Sequence, residues 1–365
     1  MIAKKKKMFA AVVVFSWLVA GVCTRAWAGD ENANYDFSKV EATIQKWVDD
    51  GNYPGAAIRI VRKDQIIYEK CFNGYTPETA PYIASAAKWL CAATMMTLVD
   101  EGRIGLDEPI SNFLPNFKGD VGTITLRQLL SHTSGIRYAD VGGEKMKKAR
   151  NIAEYTEVIA AELTTLTNKP GTQWEYGGQN LVIAGRIAEI LTGKSYEQVF
   201  QDNIAGPCRM KRTCEGLNLS FLNQGRNVYP NSNLNDYCNF LSMIAHDGKF
   251  EGRQVISARL IREMQADQVK TATMPEHQFV SDVRKAKHGC YGFGEWREFV
   301  NAAGAAEVVS SPSYAGFYPW IDHKYELYGV FVGYQKPCTK LPAMEASAGL
   351  VDLVREAISK SEKQR

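Results

Sequence analysis

Apolar residues recur at helical spacing over residues 36–49, and this run ends at Gly51. Such spacing predicts an amphipathic helix. Two short runs follow, Ala56–Arg62 and Gln65–Phe72, which are separated by only two residues and predict a β-hairpin. The next run, residues 85–102, has few helix breakers and apolar residues at helical spacing. It predicts one long buried helix.

The rest of the chain shows helical patterns first and then returns to strands. Helices are predicted at about residues 152–166, 180–191, 195–202, 236–246, 257–266 and 344–358, and strands at about 291–299, 307–311, 316–322 and 327–333. Strands, then mostly helices, then strands again, is an order typical of an α+β fold and not of a βαβ series. We therefore predict one discontinuous sheet region that receives an inserted helical region.

The first 28 residues have the pattern of a secretory signal peptide. A basic run at residues 4–7 precedes an apolar stretch at residues 8–21 and a small-x-small signal that ends at Ala28. We expect cleavage after Ala28 and a periplasmic or secreted protein. The apolar stretch is too short for a comfortable membrane span, so we expect no stable membrane anchor after cleavage. A lipoprotein signal at Cys23 is less favoured because the bulky Val22 precedes it.

Cleavage of this segment changes the charge of the chain. It removes five positive charges and no negative charge, so the net charge changes from +3 to −2. The basic pI therefore belongs to the targeting segment, and nothing in the charge of the mature chain points to nucleic acid as a partner. With 45% hydrophobic and 23% charged residues, the chain has the composition of an ordinary soluble enzyme.

Seven of the eight cysteines remain after cleavage, in an oxidising compartment. Cys208 and Cys214 flank a short loop and are the pair most favoured for a disulfide bond. Cys71 and Cys91 lie in apolar segments, which suits plain buried thiols. The chain has no Cys-x-x-Cys motif and no Cys/His cluster, so we expect neither a metal site nor a cofactor.

Ser85 and Lys88 are a candidate nucleophile and base. If Ser85 opens the helix predicted after it, a spacing of three places both side chains on one face, one turn apart. An amine held beside a hydroxyl can accept its proton and so activate it as a nucleophile. Ser and Lys at this spacing also occur by chance roughly once in a chain of ordinary composition and this length. The pair alone therefore leaves catalysis and coincidence both open.

Several further motifs occur in order along the chain. They are Pro54-Gly55-Ala56-Ala57, Ser85-Ala86-Ala87-Lys88, residues 101–106, Leu129-Leu130-Ser131-His132-Thr133-Ser134-Gly135, Pro170-Gly171-Thr172 with Tyr176, and residues 316–322. Together they resemble the serine β-lactamase and penicillin-binding superfamily, nearest to class C β-lactamases and their esterase and peptidase relatives. The resemblance extends over residues 37–358, and the ordered set is far more specific than any one motif.

The resemblance implies an α+β fold, with an antiparallel sheet flanked by N- and C-terminal helices on one face and an inserted all-helical region on the other. It implies a single domain at residues 29–365. The sheet part would cover about 37–130 and 286–360, and the helical insertion about 131–285. The active site would lie at the junction of the two parts.

The same resemblance implies roles for individual residues. Ser85 would be the acylated nucleophile, Lys88 its proton acceptor, and Tyr176 a partner in general acid–base work. The backbone N–H groups of Ser85 and Tyr314 would form the oxyanion hole. His132 could act as a base, as in Ser-His-Asp enzymes, but the matching family position is structural and the structural interpretation is favoured.

Two motifs depart from the family pattern. The second motif reads Tyr176-Gly177-Gly178, so the Asn side chain usual at the position of Gly178 is missing. The third reads Ser311-Pro312-Ser313 and has no Lys or His. We place Gly178, Ser311 and Ser313 at the substrate. Without a cation there, a substrate carboxylate has no partner, which weakens recognition of β-lactams and D,D-peptides more than it weakens acyl transfer.

The sequence therefore favours an exported serine hydrolase that cleaves a small-molecule ester, amide or peptide through an acyl-enzyme on Ser85. One alternative is a β-lactamase or D,D-peptidase. A second, of another class, is a non-catalytic ligand-binding protein on the same fold. The natural substrate and the oligomeric state do not follow from the sequence.

Overall fold

A six-stranded antiparallel sheet lies at the centre of the computed structural model, which describes residues 35–137, 146, 148–215, 230–274, 290–335 and 341–363. Its strands are β1 (Ala56–Arg62), β2 (Gln65–Phe72), β5 (Trp296–Val300), β6 (Ala306–Ser310), β7 (Tyr318–Asp322) and β8 (Leu327–Gly333), in the order β2-β1-β8-β7-β6-β5. The remaining strands, β3 (Lys249–Phe250) and β4 (Arg253–Gln254), form a separate ribbon. Pairing of β1 with β8 joins the two ends of the chain in one sheet.

The first and last helices cover one face of this sheet. They are α1 (Ser38–Asp49) and α10 (Ala343–Lys363), which pack against each other and against β2 and β7. In the core between them, Trp47 of α1 meets Phe331 of β8 edge to face, with 5.7 Å between ring centroids. The predicted α+β class, with terminal helices on one face of an antiparallel sheet, is confirmed.

The other helices lie on the opposite face. They are α2 (Ala87–Asp100), α3 (Gly119–Gly122), α4 (Leu126–Leu130), α5 (Ile152–Glu162), α6 (Gln179–Thr192), α7 (Tyr196–Phe200), α8 (Leu234–Ala245) and α9 (Ala258–Gln265). The sheet contacts this layer chiefly through α8, which packs on β1, β7 and β8. At its centre α2 packs against α6, α7 and α9, and every residue from Ala87 to Leu98 is buried. A helix with no polar face is stable only when it is enclosed in this way.

The predicted elements agree with the structure where local signals are strong. Both hairpin strands have the predicted bounds, because Lys63 and Asp64 adopt the positive φ angles of a tight hairpin turn. The last strand of the sheet is also as predicted. By contrast, β5 begins at Trp296 and not near residue 291, because Gly294 has a φ of +73° and turns the chain just before it.

Three further predictions have other outcomes: one is wrong, one is untested, and one concerns residues that are not described. The disulfide predicted between Cys208 and Cys214 is absent from the structure, because Cys208 faces the helical core while Cys214 lies in an extended bridge with Asn231. The predicted bounds of the helical insertion, residues 131–285, stay a prediction. The signal peptide predicted at residues 1–28 lies outside the described residues. Within them, no helix has both the length and the apolar character needed to cross a membrane.

One buried ion pair fastens the last helix to the sheet. Arg355 of α10 places Nε 2.9 Å from Oδ2 of Asp322 on β7, and its Nη2 donates to Oε2 of Glu307 on β6 at 2.6 Å. The Asp322 side chain has 0% exposure. Burial raises the pKa of this carboxyl, and the facing guanidinium opposes that change. The pair therefore matters because the Asp322 carboxylate has no contact with water and depends on its partner.

We predict that Arg355→Leu lowers the free energy of unfolding by about 3–5 kcal/mol at pH 7, because it leaves a buried carboxylate without its partner. The loss shrinks towards pH 4–5. A carboxyl whose folded-state pKa is raised favours folding while it is protonated, and it penalises folding as the pH rises. Urea unfolding at the two pH values measures this difference. Lys39→Ala, which removes an exposed ion pair with Glu356 on the same face, is the control and should cost far less. Equal losses in both variants would contradict the prediction.

Candidate active site

Ser85 lies in a short 3₁₀ turn, Ala84–Ala86, that leads directly into α2. Ala84 has a φ of +44°, a conformation rarely adopted by residues with a Cβ. The segment before the turn is held by a backbone hydrogen bond from the N–H of Ile83 to the carbonyl of Pro230 (2.9 Å). A strained and anchored turn at a nucleophile position is typical of sites where geometry is fixed in advance.

Lys88 lies one helical turn after Ser85, and its side chain reaches back to it. Its Nζ donates a hydrogen bond to Oγ of Ser85 at 3.1 Å. Only 5% of Lys88 is exposed. The same Nζ lies 4.6 Å from the ring centroid of Tyr176. The structure thus brings together the three residues for which the sequence predicts catalytic roles.

Tyr176 belongs to a cluster of aromatic side chains beneath the turn that carries it. Its ring lies 4.7 Å from the ring of His132 and 5.5 Å from that of Trp296, centroid to centroid. Trp174 and Tyr291 complete the cluster and are buried. Close ring contacts of this kind restrict Tyr176 to one orientation, with its face towards Lys88.

His132 supports this turn from below. Its Nδ1 accepts the N–H of Gly177 (3.4 Å) and lies 3.2 Å from Nδ2 of Asn180. The Asn180 amide is oriented by Ser134, whose hydroxyl donates to Oδ1 at 2.7 Å. Because both neighbours of Nδ1 are donors, Nδ1 is the unprotonated nitrogen. Complete burial, together with the nearby Lys88, sets the pKa of His132 well below its usual range. A neutral histidine that holds a turn matches the structural role favoured by the sequence.

The third motif follows β6 and faces the start of α2. The hydroxyl of Ser311 is shared between the carbonyls of Gly294 (3.1 Å) and Ser85 (3.3 Å), and Oγ of Ser313 accepts the N–H of Ala315 (3.0 Å). Both serines are buried. Their hydroxyls therefore act on the backbone of the site, and direct contact with a substrate stays a prediction for Ser311, Ser313 and Gly178.

The two N–H groups predicted for the oxyanion hole differ from their neighbours. The N–H groups of Ser311, Ser313 and Gly316 all donate to backbone carbonyls. Within the described part of the chain, the N–H groups of Ser85 and Tyr314 donate to none. N–H groups that have no backbone partner and lie on segments next to a nucleophile are available to a substrate oxygen.

Gly294, whose contribution the sequence did not reveal, lets the strand side approach the nucleophile helix. A Cβ at this position would collide with the carbonyl oxygen of Lys88. Its N–H donates to the carbonyl of Leu130 (3.3 Å), and its own carbonyl accepts from Ser311. One glycine therefore joins α2, α4 and the third motif. Its position in a Gly-x-Gly pair before a strand was the available signal.

Glu295, the next residue, is a buried carboxyl that the sequence gave no reason to expect. It has no exposed surface, and neither side-chain oxygen has a hydrogen-bond partner among the described residues. Burial raises the pKa of Glu295 well above its ordinary value. Its charge would also oppose ionisation of Tyr237, whose hydroxyl donates to the carbonyl of Ala86 beside the nucleophile. Burial therefore favours the neutral form of Glu295, behind the start of α2.

We predict that Glu295→Gln stabilises the protein at pH 8 and that this gain shrinks towards pH 5. The unfolded chain releases the Glu295 proton above about pH 4.5, while the folded chain retains it, so wild-type stability falls as the pH rises. Each pH unit between the two pKa values accounts for up to about 1.4 kcal/mol. Urea unfolding at pH 5, 6.5 and 8 tests this. The exposed Glu326→Gln is the control, and a gain in Glu295→Gln that does not grow with pH would refute the assignment.

One family model and several curated relatives match this chain. The model of the Beta-lactamase family matches residues 40–331. Protein flp of Staphylococcus aureus (strain MW2) is 32% identical over 190 residues, which make up 48% of this chain and 37% of that protein. Acyltransferase mokF of Monascus pilosus is 28% identical over 212 residues, or 48% of this chain and 51% of that protein. The matched region thus spans about half or less of these relatives.

Solved structures extend the likeness to nearly the whole chain. A protein from Bacteroides dorei DSM 17855, whose crystal structure is described as that of a candidate beta-lactamase, is 35% identical with a TM-score of 0.81, covering 89% of this chain and 100% of that one. EstCE1, described as a hydrolase with promiscuous acyltransferase activity, is 17% identical with a TM-score of 0.67, over 88% of this chain and 97% of that one, and shares the fold. With the family match, these findings show that the chain belongs to the Beta-lactamase family.

Proposed function

We propose that the protein cleaves an uncharged ester or amide in two steps through an acyl-enzyme on Ser85. The observation that carries this proposal is the 3.1 Å contact between Nζ of Lys88 and Oγ of Ser85 at the start of a buried helix. That distance is within reach of direct proton transfer. Membership of the Beta-lactamase family supports a serine nucleophile at this position.

In the first step Oγ of Ser85 bonds to the substrate carbonyl carbon, and its proton passes to the amine of Lys88. The tetrahedral intermediate then expels the alcohol or amine, which leaves with that proton. In the second step water attacks the acyl-enzyme, gives its proton to the Lys88 amine, and Ser85 leaves with a proton while the acid is released. Among the described residues no carboxylate forms an ion pair with Lys88, and its hydroxyl partner is Ser85.

The N–H groups of Ser85 and Tyr314 would bind the oxygen that becomes negative in both steps. Backbone donors fixed before the reaction act without reorganisation, which is why they lower the barrier effectively. Tyr176, whose ring lies against Nζ of Lys88, would help to relay the proton to the leaving group.

The chemistry of the third motif favours substrates without a carboxylate. Ser311 stands where the family motif has a cation, and its hydroxyl is already bonded to two carbonyls. The β-lactamase or D,D-peptidase alternative has its own support, because the Bacteroides dorei protein is described as a candidate beta-lactamase. Transfer of the acyl group to an alcohol in place of water is a further candidate, supported by the name of the mokF relative.

Export is part of the same proposal. The signal-peptide pattern of residues 1–28 supports a periplasmic or secreted location. There the protein would act on a small-molecule ester, amide or peptide, and we propose no nucleic-acid partner. Fractionation of cells that express the full chain, with N-terminal sequencing of the product, tests cleavage after Ala28.

We predict that Ser85→Ala abolishes both hydrolysis of p-nitrophenyl acetate and labelling by a fluorophosphonate. Lys88→Met should slow acylation by about 10²–10⁴-fold while leaving binding in place, because it removes the proton acceptor. Stopped-flow release of p-nitrophenol measures acylation, and mass spectrometry of the intact protein detects the acyl group. Ser38→Ala, a substitution of an exposed serine on α1, is the control. Acylation that survives Ser85→Ala would overturn the proposal, and a protein never acylated would favour the binding-protein alternative.

We predict that a charged substrate is processed less well than its uncharged analogue. The matched pair is the p-nitrophenyl ester of adipic acid and the same compound with its free carboxylate methylated. A carboxylate that loses its water without gaining a partner is unfavourable, so we expect roughly a 10- to 100-fold higher kcat/KM for the methylated compound. Nitrocefin, which carries a carboxylate, should be a poor substrate. Efficient nitrocefin turnover would instead establish the β-lactamase alternative.

A further inference from the structure

Three tyrosine rings meet beside the candidate nucleophile. Tyr82 lies at their centre, with its ring centroid 6.3 Å from that of Tyr314 and 6.3 Å from that of Tyr334. The interplanar angles are 69° and 76°, so both contacts are edge to face. Such pairs expose ring edges and faces of opposite electrostatic character, which suits the binding of another flat ring.

The backbone holds the three rings on separate segments that are fastened to one another. Tyr82 forms an antiparallel bridge with Asn231. Tyr334 directly follows β8, and the N–H of the next residue, Gln335, donates to the carbonyl of Ala315 at 2.7 Å, beside Tyr314. The rings therefore form one surface that is set by main-chain hydrogen bonds, and we call it the tyrosine rim (Tyr82, Tyr314 and Tyr334).

Two members of the tyrosine rim lie on the chain segments that carry the candidate reacting groups. Tyr82 precedes Ser85 by three residues, and Tyr314 carries the N–H proposed for the oxyanion hole. A group attached to a carbonyl bound by that N–H would therefore be near the residue that carries the Tyr314 ring. Tyrosine has no cationic group, so the tyrosine rim offers apolar area and ring edges but no cation to pair with a substrate carboxylate.

Tyr314 is unusually exposed for so large a ring. It has 57% of its surface exposed, and the other large hydrophobic side chains that are exposed in the described part of the chain are Ile66, Ile190 and Val300, none of which is at the site. An exposed aromatic ring at the edge of a reactive group gains free energy when a ligand covers it. Exposure at this one place indicates an apolar binding surface.

We infer that the tyrosine rim binds an uncharged aromatic group next to the scissile carbonyl and so determines substrate preference. The inference rests on the proposed acyl-enzyme function and names its substrate class. The ring belongs either to the acyl group, which stays on Ser85, or to the leaving group. Both sources share one chemistry, and the substrates below separate them.

Two substrate pairs test the tyrosine rim. Ethyl phenylacetate against ethyl butyrate reports on the acyl side, and phenyl acetate against ethyl acetate reports on the leaving side, with kcat/KM measured by pH-stat. The readout is the aromatic-to-aliphatic ratio in each variant divided by that of wild type, so the intrinsic reactivity of each ester cancels. We expect this ratio to fall about 2- to 10-fold in Tyr314→Ala and Tyr82→Ala for one of the pairs, as loss of a ring contact implies.

The controls separate ring contact from damage to the fold. Tyr314→Phe retains the ring and should keep the wild-type ratio. Tyr35→Ala removes a ring that stacks with Phe37, in the layer of terminal helices, and should also leave the ratio unchanged. Ratios that stay at the wild-type value in both alanine variants, for both pairs, would overturn the inference.

Binding measurements cover variants that lose turnover. If Tyr314→Ala hydrolyses no ester, calorimetric titration with phenylboronic acid and methylboronic acid replaces the kinetics. A lost preference for the phenyl compound supports the tyrosine rim, and a retained preference refutes it.

Failure of the proposed function looks different, because wild type would then neither turn over p-nitrophenyl acetate nor become labelled on Ser85. In that case NMR titration of phenylacetamide against butyramide tests the tyrosine rim alone.

Discussion

The contact between Lys88 and Ser85 depends on a helix that has no exposed face. Residues 87–98 of α2 are all buried, so the helix cannot rotate about its axis without breaking the core around it. This enclosure fixes the direction of both side chains and holds them 3.1 Å apart. Proton transfer requires such a distance and fails when it increases by an ångström or two. The apolar surroundings of α2 are therefore part of the candidate site, although none of their groups reacts.

A second set of contacts, made by Gly294 and Ser311, sets the distance between α2 and the sheet. Gly294 passes directly over the carbonyl of Lys88, at a position where any Cβ would collide with it. Ser311 then bonds the carbonyls of both Gly294 and Ser85. These contacts involve main-chain atoms and one short side chain, so the distances between the bonded segments have little freedom to change. They hold the Tyr314 segment at a fixed position relative to the nucleophile, which is what an oxyanion hole shared between two segments requires.

The sequence predicted what depends on neighbours along the chain and missed what depends on distant ones. The hairpin of β1 and β2 and the Ser85–Lys88 pair follow from short-range periodicity, and both appear in the structure. The hydroxyl of Ser311, in contrast, bonds a carbonyl 226 residues away, and no local pattern reports on that. The predicted disulfide between Cys208 and Cys214 is wrong for a different reason: the two residues are close in the chain, but their spacing does not give the direction of their side chains.

Burial and composition together leave the candidate site with few charges. Burial lowers the pKa of His132 and raises the pKa of Glu295, which favours the neutral form of both. Ser311 is uncharged where the family motif has a cation. Around Ser85 the described residues thus leave Lys88, with Tyr176 as its proposed partner, to move protons during the reaction. In so apolar a setting, backbone N–H groups bind a developing oxyanion more strongly than they would in water. The same setting would penalise a substrate that brings a permanent charge of its own, because that charge would lose its water without gaining a partner.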